Sequence, residues 1–164
     1  MQTRKTARAL LFDKQGRLLL VHMHDPNVAA ANGEVAPDAY WVTIGGEIDE
    51  GEDIFTAVTR EIAEETGHTS VRLGPPVWYA EHVLNVHGEP RLFQETFVLA
   101  FTEEESLSDA AWTEDERRVI KSLKWWDADE LYASRDLFFP TSLKENLLPI
   151  FDGIYPATVL RIEA

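Results

Sequence analysis

No cysteine occurs in the 164 residues, which excludes disulfide staples, thiolate metal ligands and thiol nucleophiles and fits a reducing cytoplasm. Basic residues are scarce: 15 Lys and Arg stand against 29 Asp and Glu, a formal net charge of -14. A surface so negative repels nucleic acid polymers and anionic membranes, and no basic stripe interrupts it. Apolar runs are short. None can span a bilayer, and Leu10-Leu11-Phe12 meets Asp13 too soon for a signal peptide. Internal repeats and linkers are absent as well. The length suits a single domain, 1–164, and 45% apolar residues supply a real core.

What the chain does have is one dense, regularly spaced segment. It runs Gly46, Glu52, then Arg60-Glu61-Ile62-Ala63-Glu64-Glu65-Thr66-Gly67. Residues three and four apart share one side of a helix, so Glu61 lies beside both Glu64 and Glu65. Like charges that close repel unless a cation sits among them. A hard divalent ion such as Mg2+ prefers carboxylate and carbonyl oxygens and commonly bridges acidic residues to phosphates. The spacing predicts a helix over residues 53 to 66, capped by Asp53 or Glu52 and stopped by a left-handed Gly67. Ile54, Phe55, Val58 and Ile62 form an apolar stripe expected to bury the face opposite the glutamates. Gly45, Gly46 and Gly51 allow a sharp loop that brings a backbone carbonyl toward the ion, and Arg60 can hold a glutamate in position. A solvated acidic surface is the bland alternative in so acidic a chain, but it does not explain the glycines and the arginine at set distances.

These residues resemble the Nudix box, G-x5-E-x7-R-E-U-x-E-E-x-G-U, where U is bulky and apolar. Gly46, Glu52, Arg60, Glu61, Ile62, Glu64, Glu65 and Gly67 match; His68 stands at the last apolar position and Ile44 where a proline often precedes the glycines. Trp41 and the segment Trp125-Trp126-Asp127 to Glu130-Leu131 extend the likeness. The resemblance implies an α/β/α sandwich around a mixed β-sheet and hydrolysis of nucleoside diphosphates linked to another moiety, with Mg2+ or Mn2+. It further implies that subunits commonly pair into a homodimer. The absence of cysteine counts against the isopentenyl-diphosphate isomerase branch.

Elsewhere, Ala7 to Phe12 and Arg17 to Met23 read as strands about the turn Asp13 to Gly16. His24 to Tyr40 reads as an aperiodic loop, long enough to form a lid. Val77 to Val86 and Arg91 to Phe101 read as a hairpin about His87-Gly88-Glu89-Pro90. An acidic loop, Thr102 to Glu116, precedes a strand through Trp125. Asp127 to Ala133 and Ser142 to Leu148 read as short helices, each opened by a capping box, with Pro149 ending or kinking the second.

Strand alternation places Glu95 in an apolar row with Phe93, Phe97, Leu99 and Phe101, where a carboxylate needs a cation, a metal or a proton. Glu95 is therefore a candidate auxiliary metal ligand or base. Arg8, beside Leu10 and Phe12, can pair with Glu95 or grip a substrate phosphate. Tyr40 and Trp41 border the glycine loop and are candidates to stack on a base, although large aromatics more often fill cores. His22, His24, His82 and His87 have no ligand-like spacing and read as structural.

The chemistry expected is attack of an activated water on phosphorus, breaking a pyrophosphate linkage in a small nucleotide substrate. Glu61, Glu64 and Glu65 would carry the ions, with the Gly46 carbonyl; one glutamate, Glu61 preferred, or an acidic residue from elsewhere would act as base; Glu52 and Arg60 would hold loop and helix in place. The rival is a module that senses a nucleotide or ADP-ribose without cleaving it. The intact carboxylate set argues against it.

Overall fold

The computed structural model describes residues 1–34 and 37–164. Among the described residues, eight strands form one mixed sheet: β1 (Gln2–Phe12), β2 (Leu18–Met23), β3 (Val28–Ala30), β4 (Tyr40–Glu47), β5 (Arg72–Val86), β6 (Glu89–Phe101), β7 (Ile120–Trp126) and β8 (Leu160–Arg161). Four helices among the same residues accompany them: α1 (Ile54–Thr66), α2 (Glu114–Val119), α3 (Ala128–Ala133) and α4 (Leu143–Phe151). The strand order is β3-β5-β6-β1-β4-β2-β7, with β8 alongside β5. At the centre, β1 runs parallel to β6, from Gln2 opposite Arg91 to Phe12 opposite Phe101. On its other side β1 is antiparallel to β4.

Alternation along β1 divides the core. Ala7, Ala9 and Leu11 pack with Ala57, Val58 and Ile62 of α1. Leu10 and Phe12 point the other way, toward Leu131 of α3 and Leu143, Leu147 and Ile150 of α4. Helices thus cover both faces of the sheet, as an α/β/α sandwich requires.

Several boundaries differ from the sequence reading, each for a local reason. β5 begins at Arg72 rather than Val77, because bulges on either side of Pro76 let the strand carry prolines without breaking the ladder. Its hairpin turn is tight, with His87 and Gly88 at φ of 50° and 79°. The stretch from His24 to Tyr40 is not loop throughout: β3 pairs with β5 there, Val28 opposite Val86. Residues 35 and 36 of that stretch lie outside the described residues. The acidic stretch ends in α2, where Thr113 and Glu116 form a capping box that the sequence reading passed over.

The capping boxes expected downstream fare less well. Asp127 caps α3 by accepting from the Glu130 backbone. Ser142 makes no cap; its hydroxyl donates instead to the Glu163 carbonyl. Pro149 does not stop α4, which continues to Phe151, since a proline so near the end forfeits little of the helical ladder.

Candidate active site

The site is built where the glycines of β4 meet the C-terminal half of α1. Asp53 caps the helix, its side chain accepting from the Thr56 backbone at 2.8 Å, and Gly67 closes it at φ 80°. Close packing demands the glycine at position 46: a Cβ there would stand 2.5 Å from a Glu61 carboxylate oxygen. Gly45 is equally constrained, since a Cβ would fall 2.2 Å from the Ala7 carbonyl and 2.7 Å from Cδ of Arg8.

One expectation is corrected by α1 itself. Its buried residues are Ala57, Val58, Glu61, Ile62, Glu65 and Thr66, so two glutamates share the sheet-facing side with the apolar stripe. Phe55 is 44% exposed and leaves the stripe, its place taken by Ala57. The apolar period at 54, 58 and 62 carries 61 and 65 along one position away, and the glycine loop provides the room.

Arg60 braces the loop against the helix. Its guanidinium donates to both oxygens of Glu52, each at 2.8 Å, to Glu61 at 3.0 Å and to the Glu47 carbonyl at 3.0 Å. Glu64 approaches the same guanidinium at 3.3 Å and stays 41% exposed. Arg60 holds the Glu52 carboxyl down to about 2, and the Asp49 backbone N-H donates to it as well. Glu52 and Arg60 thus form a hinge of charge-assisted bonds.

Glu61 and Glu65 experience the opposite field. Burial pushes both carboxyls above the usual range; Glu64 adds to the effect on Glu61 against the pull of Arg60, and Glu61 adds to it on Glu65. The two groups lie within hydrogen-bonding reach of each other. Two buried carboxylates without enough compensating charge are the environment a hard divalent cation relieves, and all-oxygen donors suit Mg2+ or Mn2+. Among the described residues no group of three or more His, Asp or Glu side chains converges in a ready-made metal cage. The structure brings Glu61, Glu65 and Gly46 together, while Glu64 turns to Arg60.

Beyond the glycines lies a third buried carboxylate. Glu95 accepts from Arg8 Nε at 2.7 Å and Thr6 Oγ1 at 3.1 Å on one oxygen, and contacts His82 Nε2 at 2.8 Å on the other. Burial alone would raise its pKa, but Arg8 and His82 outweigh burial and hold it at about 2. Arg8 also donates to the Thr43 carbonyl at 3.2 Å and stands close enough to Glu61 and Glu65 to feel their charge. Of the two roles foreseen for Arg8, the pairing with Glu95 is present. His82 is structural as expected, but its contact with Glu95, like that of Thr6, was not foreseen, since only strand pairing, His82 opposite Phe93 and Thr6 opposite Glu95, brings them together.

The aromatic candidates separate. Trp41 is 6% exposed, stacked on His22 at 4.4 Å, edge-on to Trp126 at 5.0 Å, and donates to Asp136 at 3.0 Å, so it is core rather than a platform for a base. Tyr40 is half-buried against Phe139; burial, with Asp25 nearby, raises its pKa, and Arg8 opposes that rise.

Comparison with known proteins agrees with this geometry. A family model described as the NUDIX domain matches residues 2–145. An RNA pyrophosphohydrolase of Caulobacter vibrioides is 30% identical, over 96% of this chain and 84% of the relative. Among solved structures, an E. coli dihydroneopterin triphosphate pyrophosphohydrolase superposes with a TM-score of 0.62 at 17% identity, covering 93% of this chain and 99% of that one. A MutT NUDIX hydrolase from Burkholderia pseudomallei gives 0.61 at 22% identity, covering 90% and 99%. At such identities the structures speak for the shared fold.

Proposed function

The chain belongs to the NUDIX family of pyrophosphohydrolases, and we propose that it hydrolyses the pyrophosphate linkage of a nucleoside diphosphate bearing a further group, in a reaction dependent on Mg2+ or Mn2+. The observation that carries this reading is the pair of buried carboxylates, Glu61 and Glu65, held against Gly46 beside the Arg60 and Glu52 brace. A bound divalent ion would neutralise phosphate oxygens and lower the pKa of water. Glu61 and Glu65, with Glu64, would hold it, assisted by the Gly46 carbonyl.

The chain's own contributions follow from the geometry. Arg60 and Glu52 fix the loop so that α1 presents its carboxylates at one angle. One of the carboxylates near the ion, Glu61 preferred, takes the proton of the attacking water. Arg8, oriented by Glu95, turns the rest of its guanidinium toward phosphate oxygens. With both its oxygens engaged, Glu95 acts as the positioning partner of Arg8 rather than as an auxiliary ligand.

The substrate class supported best is a small nucleotide with its phosphoanhydride at the 5′ side of the ribose; sugar nucleotides and ADP-ribose belong to the same chemistry. The name of the Caulobacter relative, an RNA pyrophosphohydrolase, adds RNA to the candidate substrates. A net charge of -14 acts against long-range capture of a polymer, but an end needs only local contacts. We read residues 1–164 as one domain. Among the described residues no helix is long and apolar enough to cross a membrane.

The test is product analysis over a panel of sugar nucleotides, ADP-ribose, dinucleoside polyphosphates and 5′-triphosphorylated nucleotides with Mg2+ or Mn2+. One class should release a phosphate-bearing product, and Glu65→Gln should cut kcat by about a hundredfold or more with the fold intact. Near-normal rates in both Glu64→Gln and Glu65→Gln at saturating Mg2+ refute the site; tight binding without any product refutes hydrolysis.

A further inference from the structure

The sheet face that carries Arg8 continues away from the glutamates. Because β1 and β6 are parallel and in register, Arg4, Thr6 and Arg8 of β1 line the same face as Arg91, Phe93 and Glu95 of β6, with Leu84 and His82 of β5 beside them. Three guanidinium groups thus share one stretch of a chain whose net charge is -14. Arg8 has Glu95 and the Thr43 carbonyl. Arg4 and Arg91 are not satisfied in that way: the Nε of each is buried and has no hydrogen-bond partner.

The nearby carboxylates do not change this balance. Glu47 stands 3.8 Å from Arg4, beyond hydrogen-bonding distance, and its side chain is 60% exposed. Arg91 forms no salt bridge among the described residues. Arg4 lies over the Phe93 ring at 5.4 Å, and the His82 ring meets the same phenyl at 5.4 Å, so the guanidinium is seated rather than loose. Burial lowers the proton affinity of Arg4, Glu47 opposes that, and Arg8 and Arg91 lower it again. Both side chains stay partly exposed, so an anion that reaches their outer guanidinium nitrogens relieves the repulsion between them.

We propose that Arg4 and Arg91 form a second anion subsite, holding a phosphate that lies beyond the ribose of the nucleotide whose phosphoanhydride is split. The identity of that nucleotide rests on the function proposed above; the pairing of Arg4 with Arg91 does not. Guanidinium forks match phosphate oxygens two at a time, which is the chemistry these donors offer. Four residues of extended β1 separate Arg8 from Arg4, about 13 Å, more than one pyrophosphate group covers and suited to the far side of a nucleoside. Arg91, two residues before the Phe93 that pairs with Arg4, stands diagonally across from it on the same face. Substrates with a phosphate on the 3′ side gain affinity here without new catalytic contacts.

The test measures binding of reaction-product probes by titration calorimetry with Mg2+ present: AMP, adenosine 3′,5′-bisphosphate and the 5′-phosphorylated dinucleotide pApG. Wild type should bind at least one of the two longer probes about tenfold tighter than AMP, and Arg91→Gln and Arg4→Gln should each remove most of that advantage. A gain for the bisphosphate alone assigns the subsite to a terminal phosphate, and a gain for pApG to a phosphodiester. Equal affinity for all three probes overturns the proposal, as does an advantage that survives in both arginine variants. Glu65→Gln separates the two claims. It should lose turnover and keep the advantage; if it and Glu64→Gln both turn over normally while Arg91→Gln still erases the advantage, the catalytic reading falls and the subsite stands.

Discussion

Glu95 and Glu65 are buried to the same degree, at 7% and 6% exposure, on either side of the β4 glycines, yet their carboxyl pKa values move in opposite directions. Glu95 faces Arg8, Thr6 and His82, and its pKa falls to about 2. Glu65 faces Glu61, and its pKa rises well above the ordinary value. Desolvation acts alike on both, so the neighbours decide. One carboxylate is a finished structural ion pair that aims an arginine. The other is left short of positive charge, which is the condition for a site that takes its cation from solution.

Breaking the finished pair should have the largest effect on stability. Arg8→Met leaves Glu95 buried with only Thr6 and His82, and losing one partner of a buried pair costs about 3 to 5 kcal/mol. Urea unfolding followed by fluorescence of the tryptophans would measure it. Replacing both members, Arg8→Met with Glu95→Gln, should return much of the loss, because no isolated charge then stays buried. A double variant no more stable than Arg8→Met alone would show that the arginine contributes packing and not charge.

How much of this contrast could be read from the chain differs by element. The acidic helix, its caps and its glycine loop were legible because their spacing runs along the chain, from Gly46 to Gly67. The Arg8 and Glu95 pair was half legible: each stood out as a charge in an apolar row, but their meeting depends on the parallel register of β1 and β6. The contact of His82 with Glu95 was invisible, since the ring nitrogen reaches that carboxylate only through the β5–β6 pairing. Trp41 was misplaced among candidate base-stacking residues because adjacency to the glycines says nothing about which face of β4 it takes. Its partners, His22, Trp126 and Asp136, come from distant segments.

Acid should sharpen the same comparison with a somewhat smaller effect. The folded pKa of Glu95 lies at about 2, below that of the unfolded chain, so unfolding takes up a proton between about 4.5 and 2 and stability falls as pH falls through that window. The difference corresponds to about 3 kcal/mol. Glu52, held at about 2 by Arg60, adds in the same direction. Wild type should therefore lose stability more steeply than Glu95→Gln from pH 5 downward, read as unfolding midpoints in urea across that range. Parallel curves for the two proteins would mean that Glu95 is not ionised in the fold.

The smallest effect has the opposite sign and tests the unfinished half. Glu65 has a folded pKa above its unfolded one, so the fold binds more protons and its stability falls as pH rises from the ordinary carboxylate value through the raised one. At neutral pH without metal, Glu65→Gln should remove that penalty and stabilise the protein by about 1 kcal/mol, because an amide can share a hydrogen bond with Glu61 without repelling it. Added Mg2+ should reverse the ranking, since an ion that binds only the folded state stabilises wild type by mass action and has lost a carboxylate in the variant. Thermal melts of both proteins with EDTA and with Mg2+ give the four values needed. A variant that is less stable than wild type in EDTA would show that the Glu61 and Glu65 pair already has all the compensation it requires, and the contrast with Glu95 would collapse.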